Sequence, residues 1–228
     1  MTTETGPVPR TPLTRDRVLR AAIAIADGGG LGALTMRRLA EHLGAEAMSL
    51  YYHVAGKEEL LDGVVDVLVG EINEVTGRIG RPAGGWQPAV RATVLAAREV
   101  LLRHPWAPRV LESRTRTSPE VLRYYDALLG MMRAGGFSYD LAHHALHALG
   151  SRALGFSQEL FDPAAGADQP PDAALADLAA ELPHLTGMVR EIAHDDPGST
   201  LGWCDDQAEF AFALDLILDG LDRLRAAA

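Results

Sequence analysis

The stretch from Leu34 to Lys57 constrains the fold of this chain more than any other part of its sequence. Its first half has the i, i+3, i+4, i+7 spacing of an amphipathic helix, set by Met36, Leu39, Ala40 and Leu43. Gly44 follows at once, where a helix end favours a residue that adopts the left-handed conformation. A second short element begins near Met48. Two short helices around a Gly-containing turn predict a helix-turn-helix, whose second helix lies in the DNA major groove.

A set of residues along this stretch resembles the amino-terminal domain of TetR-type bacterial repressors. The matching positions, between Thr14 and about Asp62, are Ala21-Ala22, a Gly-rich turn, Leu34-Thr35, Arg37, Leu39-Ala40, Leu43-Gly44, Ser49-Leu50-Tyr51, His53-Val54, Lys57 and Leu60-Leu61. The resemblance implies an all-α protein, in which a small helix-turn-helix DNA-binding domain precedes a larger helical effector-binding and dimerisation domain. It also implies a ligand-responsive transcriptional repressor and not an enzyme.

Six residues are expected to contact operator DNA by their places in this motif: Arg37, Met48, Ser49, Tyr51, His53 and Lys57. Arg37 is assigned to a base or phosphate, Ser49 and Tyr51 to backbone or base edges, and His53 and Lys57 to phosphates. The alternative for Tyr51 and His53 is packing inside the small domain. Ala47 and Met48 stand where the tetracycline-repressor branch has Gln-Pro, so a bidentate amide contact is missing and the operator sequence does not carry over.

The charge distribution resolves an apparent conflict with DNA binding. The formal net charge of the 228 residues is −10, which is unfavourable beside phosphates. However, residues 1–57 contain seven Lys and Arg against five Asp and Glu, whereas the remainder contains fourteen against twenty-six. Because the basic excess is small, sufficient affinity requires a homodimer that doubles the contacts.

The sequence divides into a predicted disordered tail (1–12), the DNA-binding domain (13–60) and a ligand-binding and dimerisation domain (61–228). The tail lacks the apolar core of a signal peptide, and no apolar run approaches the roughly 18–20 residues that a bilayer span requires. Cys204 is the single cysteine, which excludes an intrachain disulfide. These features predict a cytoplasmic protein with no membrane contact.

Helical patterning continues through the chain. The first helix is predicted over 14–27, ended by Gly28-Gly29-Gly30, and its early arginines (Arg10, Arg15 and Arg17) are read equally as phosphate contacts or as a solvated face. Further helices are predicted over 57–76, 87–104, 106–113, 119–134 after an N-cap at Ser118, 138–160, 173–181, 184–194 and 204–225, with loops at 162–172 and 195–200. The helices near 138–160 and 204–225 are apolar on more than one side, and the resemblance implies that they form the dimer interface.

The effector region departs from the tetracycline repressor, which chelates a magnesium-bound drug through a His where this chain has Leu111. We expect a small, largely apolar effector that binds without metal or another cofactor. The candidate lining residues, each of which is otherwise an ordinary core residue, are Asn73, Trp106, Leu111, Tyr125, Leu128, Met132, His147 and Phe156.

Two other interpretations stay open. His143, His144 and His147 suggest a metal site, because His143 and His147 share a helix face, but no third ligand at suitable spacing is visible, and solvated or packing histidines are favoured. As for function, an α-helical enzyme would need a catalytic constellation that the sequence does not present. An accessory DNA binder that senses nothing would use its carboxy-terminal domain only to dimerise.

Overall fold

The computed structural model of the chain describes residues 12–79, 84–115, 117–154, 181–184, 186–187 and 206–227. Its helices are α1 (Arg15–Ala33), α2 (Met36–Leu43), α3 (Ala47–Leu50), α4 (Lys57–Ile79), α5 (Trp86–Arg103), α6 (Ala107–Ser113), α7 (Pro119–Ala134), α8 (Tyr139–Leu154) and α9 (Asp206–Ala227). No strand occurs among the described residues, and the all-α prediction is confirmed. Within the same residues, no helix is long and apolar enough to cross a membrane.

Helix α1 begins as predicted but ends later. Thr14 is its N-cap and accepts a hydrogen bond from the Arg17 backbone N–H at 3.2 Å. Its predicted inward residues, Val18, Ala21, Ala22 and Ile25, are all buried. The helix does not stop at Asp27, because Gly28 and Gly29 keep helical backbone angles and the break comes at Gly30, with φ 69° and ψ 174°. A glycine weakens a helix by only about 1 kcal/mol, so a run of glycines lowers stability without enforcing an end.

The helix-turn-helix forms where the sequence predicts it. Thr35 caps α2 by accepting from the Arg38 N–H at 3.1 Å. Gly44 ends α2 in the left-handed conformation (φ 62°, ψ 36°), which a residue with a Cβ adopts at a cost. The second helix, α3, has only four residues. The chain then continues in tight turns, in which the His53 N–H bonds to the Leu50 carbonyl at 2.9 Å.

Helix α4 is the centre of the first of two compact units, Met1–Leu146 and His147–Ala228. It packs against α1, α5, α6 and α7, and it extends three residues beyond its predicted end. Ser118 caps α7 as predicted, accepting from Val121 at 3.2 Å. Ser138 likewise caps α8, accepting from Leu141 at 3.1 Å. The predicted elements at 155–160, 162–172, 173–180 and 195–200, and most of the helix at 184–194, lie outside the described residues.

Helix α9 has an apolar side that is buried and another that is exposed. The buried residues are Phe210, Leu214, Leu218 and Leu221. Phe212, Leu216 and Leu224 are 63%, 56% and 58% exposed. The expectation that this helix is apolar on more than one side is therefore confirmed.

Candidate DNA interface and effector region

The predicted DNA-contacting residues lie on α2, on α3 with its following turns, and on the first residue of α4. Met48 is 73% exposed and Tyr51 is 45% exposed, and Arg37 and Lys57 are also exposed. Exposure of Tyr51 argues against the alternative in which it packs inside the domain. Ser49 and His53 are half-buried, so the two readings of His53 both remain compatible with its position.

Two of these side chains already bind protein groups. Arg37 Nε donates to Glu41 Oε1 at 2.9 Å, and this hydrogen bond, with the charge of Glu41, raises the pKa of the guanidinium. The predicted contact of Arg37 with DNA would therefore compete with this pairing. The Ser49 hydroxyl donates to the Glu46 carbonyl at 2.6 Å. In this rotamer Ser49 can only accept a second bond, which suits an amino group on a base edge better than a phosphate.

Tyr52 was missed by the sequence analysis. It is 89% exposed, immediately after Tyr51, and places a second phenol beside the predicted contacts. The motif singles out residues on either side of it, and nothing in the helical spacing favoured Tyr52. The available signal for an exposed Tyr52 was its position in a turn between two buried residues, Leu50 and Val54.

The early arginines of α1 bind protein groups. Arg15 Nη1 donates to the Glu59 carboxylate at 2.7 Å and to the His53 carbonyl at 2.9 Å. Arg17 Nη1 donates to the Pro12 carbonyl at 2.6 Å. Neither prediction, a phosphate contact or a solvated face, describes Arg15 and Arg17 fully, because each pairs with a protein group. Arg10 lies outside the described residues.

The α6 region is tied to both α1 and α4. Asp27 Oδ1, near the end of α1, accepts from Trp106 Nε1 at 2.7 Å and lies 2.8 Å from His104 Nδ1. Arg114, just after α6, has a side chain only 13% exposed and lies 2.8 Å from Glu58 Oε2 and 3.4 Å from Asp62 Oδ1. Arg114 therefore connects the end of α6 to the first two turns of α4.

The candidate effector residues differ in burial and in hydrogen bonding. Leu128 and Met132 are 2% and 0% exposed on α7. Asn73 donates from α4 to the carbonyl and the carboxylate of Glu120, at 3.0 Å and 2.9 Å. This bond, followed by one from Arg123, lowers the pKa of Glu120. Leu111 is half-buried, Tyr125 is 40% exposed, His147 is exposed and Phe156 lies outside the described residues.

Two cavities lie among the described residues, and the candidate effector residues do not line either of them together. One, of about 320 Å³, lies between the start of α4 and the α6–α7 connection, and its lining includes Arg15, Glu59, Asp62, Asp66 and Arg114. The other, of about 500 Å³, is lined by Trp106 together with Asp27, Leu31, Arg109 and neighbouring residues. Trp106 is the one candidate that lines either cavity, so the assignment of the other residues stays a prediction.

One polar group of this region, Tyr124, was not singled out from the sequence. Burial raises the pKa of the Tyr124 phenol well above its usual value, with a smaller contribution from Tyr125, so Tyr124 stays neutral. Thr93 is 2% exposed and its hydroxyl donates to the Ala89 carbonyl at 2.9 Å. The histidines of α8 are exposed, and the His143 and His144 rings lie 5.7 Å apart. No group of three or more metal-binding side chains occurs among the residues that the structure describes.

Comparison with known proteins identifies the class of regulator. A family profile described as "Bacterial regulatory proteins, tetR family" matches residues 18–64, and one described as "Tetracyclin repressor-like, C-terminal domain" matches residues 80–225. Both halves of a helix-turn-helix regulator with a helical carboxy-terminal domain are thus present. The chain belongs to the TetR family of bacterial regulatory proteins, which are DNA-binding regulators and not enzymes.

Individual relatives agree with this assignment. The HTH-type transcriptional repressor DrrR1 of Streptomyces coeruleorubidus is 39% identical over 130 residues, which cover 57% of this chain and about half (47%) of DrrR1. The class D tetracycline repressor of Escherichia coli is 31% identical over 194 residues, 82% of each chain. The structure of apo ActR from Streptomyces coelicolor has a TM-score of 0.72 and 28% identity, covering 96% of this chain and 99% of ActR. ActR has also been solved in complex with actinorhodin, with a TM-score of 0.69.

Proposed function

We propose that this chain is a transcriptional repressor that binds operator DNA as a homodimer and leaves it when a small, largely apolar effector binds. The observation that carries the proposal is the exposure of Met48, Tyr51 and Lys57 on a helix-turn-helix whose Leu39 and Leu50 are fully buried. These exposed side chains do not contribute to the core of their own domain, and they suit contacts with DNA in the major groove. DrrR1 and the class D relative are named as repressors.

Each predicted contact suits a different part of the DNA. Lys57 and Arg37 carry the charge for phosphates, which position the protein without reading sequence. Met48 has no hydrogen-bonding group that could replace an amide, but its exposed side chain suits the thymine methyl group in the major groove. Tyr51 and Ser49 contribute hydroxyl groups toward base edges. The operator half-site is therefore expected to contain a thymine opposite Met48.

Dimerisation is assigned to α8 and α9. The exposed apolar row on α9, formed by Phe212, Leu216 and Leu224, would be covered by a second copy of the chain. A homodimer would hold two recognition helices about one DNA turn apart, roughly 34–36 Å. It would also double the small basic excess of residues 1–57.

The effector is assigned to the apolar side of α7, around Leu128 and Met132, together with Leu111 of α6. Leu111 supplies no metal ligand, so binding is expected to depend on apolar burial. ActR, which shares the fold, has been solved with actinorhodin bound. An effector that moves α6 would pull on Arg114 and on its partner Glu58, the residue next to Lys57. A coupling of about 1–3 kcal/mol would lower DNA affinity by roughly 5–150-fold.

The most informative experiment is the selection of bound duplexes from a random DNA pool. The proposal expects a site with two related half-sites, and the purified protein should bind it as a dimer. A monomer that binds no duplex at low salt would refute the proposal. The selected duplex then serves in a screen of apolar small molecules for ligands that both raise the melting temperature and release DNA. Sensitivity of that release to a chelator would contradict the metal-free site, and failure of every ligand would favour the accessory DNA binder.

A further inference from the structure

We propose that Arg15 and Glu59 are positioning residues, which hold the segment between the recognition helix α3 and α4 in the shape that DNA binding needs. This inference rests on the proposed DNA-contacting surface, because the segment carries Tyr51, His53 and Lys57. Neither Arg15 nor Glu59 is itself assigned a DNA contact. Their role is to fix the backbone from which those contacts project.

The two side chains form a continuous series of hydrogen bonds. Arg15 Nη1, on the first turn of α1, donates to Glu59 Oε1 at 2.7 Å and to the His53 carbonyl at 2.9 Å. The other oxygen of Glu59, Oε2, accepts from the backbone N–H of Ala55 at 2.7 Å. The Arg15–Glu59 ion pair therefore binds two backbone groups of the segment, the His53 carbonyl and the Ala55 N–H. We call this arrangement of Arg15, Glu59, His53 and Ala55 the loop brace.

The segment has few other means of holding its shape. The N–H groups of His53 and Val54 both return to the Leu50 carbonyl, at 2.9 Å and 3.0 Å, and Val54 is 1% exposed. These contacts secure the first part of the segment. Beyond Val54, the Ala55 N–H donates to the Glu59 carboxylate, and charge-assisted bonds are stronger than neutral ones. The next carbonyl, that of Gly56, accepts from the Leu60 N–H at 3.0 Å as α4 begins.

The brace depends on the close approach of α1 and α4. A Cβ at Gly63 would lie 2.7 Å from Leu19 Cδ2 and 3.1 Å from Arg15 Nη2. A side chain at Gly63 would displace the ends of Leu19 and Arg15. Glycine therefore favours the close approach that brings Arg15 within reach of Glu59, one turn earlier on α4. The close packing of two helices thus determines where an ion pair on their surface can form.

The sign of one substitution separates positioning from simple electrostatics. Glu59 is a negative charge close to a surface that binds phosphates, so its loss alone should strengthen DNA binding. The brace predicts the opposite for Glu59→Gln, namely affinity about tenfold weaker, since a charge-assisted bond is replaced by a neutral one. Asp16→Asn is the matched control: it makes the same charge change in the first turn of α1, where Asp16 pairs only within the helix, with Arg20. Its affinity should equal or slightly exceed that of the parent.

A double-mutant cycle tests whether the two residues act together. Arg15→Gln should also weaken binding about tenfold, but the Arg15→Gln/Glu59→Gln variant should be little weaker than either single variant. Arg20→Gln removes an equal charge from the same helix without touching the segment, and it should lower affinity less than Arg15→Gln. Additive losses in the cycle would overturn the brace in favour of two independent effects.

Hydrogen exchange gives a readout that needs no DNA. The Ala55 amide should exchange about tenfold faster in Glu59→Gln than in the parent or in Asp16→Asn, in samples whose helical circular dichroism is unchanged. Unchanged exchange at Ala55, or unweakened DNA binding by Glu59→Gln, would overturn the inference. Lys57→Ala tests the surface separately. Retained binding by Lys57→Ala would refute the proposed surface, whereas loss in Lys57→Ala without loss in Glu59→Gln would refute only the positioning role.

Discussion

Truncation of Phe212 and Leu216 to alanine tests whether the exposed apolar side of α9 is the dimer interface. Both side chains project from a helix whose opposite residues, such as Leu214, are fully buried. If a second copy of the chain covers them, the double variant should fold normally and dimerise poorly. The same truncation at a buried position should instead lower the stability of the folded chain.

The magnitude follows from how much of each side chain is left for a partner to bury. Complete burial of a Leu or Phe side chain contributes about 1.5–3 kcal/mol. Phe212 and Leu216 are 63% and 56% exposed, so each retains roughly half of that contribution, about 1–1.5 kcal/mol. Because a two-fold interface contains each residue twice, the double variant should lose about 4 kcal/mol of dimer stability. That loss corresponds to a dimer dissociation constant roughly a thousandfold weaker.

Sedimentation equilibrium over a range of concentrations measures this constant. Leu214→Ala is the control, since Leu214 is 0% exposed and its truncation should cost about 2–5 kcal/mol of folding stability. In that variant the melting temperature should fall sharply at every concentration. The double variant should instead lose the concentration dependence of its melting temperature. A double variant that dimerises as tightly as the parent would refute the assignment of this face.

The proposed DNA-contacting surface yields three further predictions, each measured by fluorescence anisotropy with a selected duplex. Lys57→Ala and Arg37→Ala should each weaken binding to all sequences and reduce the slope of log K against log salt by about 1.8, two phosphates per dimer, without changing the dimer mass. Glu41→Gln should strengthen binding by about twofold, because it releases Arg37 from its pair within α2; weaker binding would show that the pair orients Arg37 for DNA. Met48→Ala should weaken binding about fourfold, as should replacement of the contacted thymine by uracil, and combining both changes should add little. Full additivity would place Met48 away from the thymine methyl group.

Local signals in the sequence predicted the secondary structure well. Ser118 and Ser138 accept hydrogen bonds from the first turns of their helices, and Gly44 takes the left-handed conformation. These features depend on residues within three or four positions of each other, so the sequence contains all that decides them. The error at Gly28–Gly30 has the same origin, because glycine permits a helix end but does not impose one.

Pairings between distant residues could not be predicted in this way. Arg15 and Glu59, or Asp27 and Trp106, are separated by 44 and 79 positions. They meet because α1 packs against α4 and because the chain returns at α6. The sequence left Arg15 as a phosphate contact or a solvated residue and predicted Trp106 as an effector contact. The structure adds a partner on another helix for each of them. Trp106 also lines a cavity, and its effector contact stays a prediction.

These distant pairings explain how one helix can serve both halves of a regulator. The start of α4 carries Lys57, and the next two residues, Glu58 and Glu59, bind Arg114 and Arg15 respectively. Glu58 thus ties α4 to the α6 region, and Glu59 ties it to α1 and to the segment proposed to contact DNA. On the proposed mechanism, a shift of α6 that reaches Glu58 through Arg114 would also disturb the bonds of its neighbour Glu59. The proposed coupling therefore requires that the first turn of α4 have two arrangements, one favoured by the effector and the other by the operator.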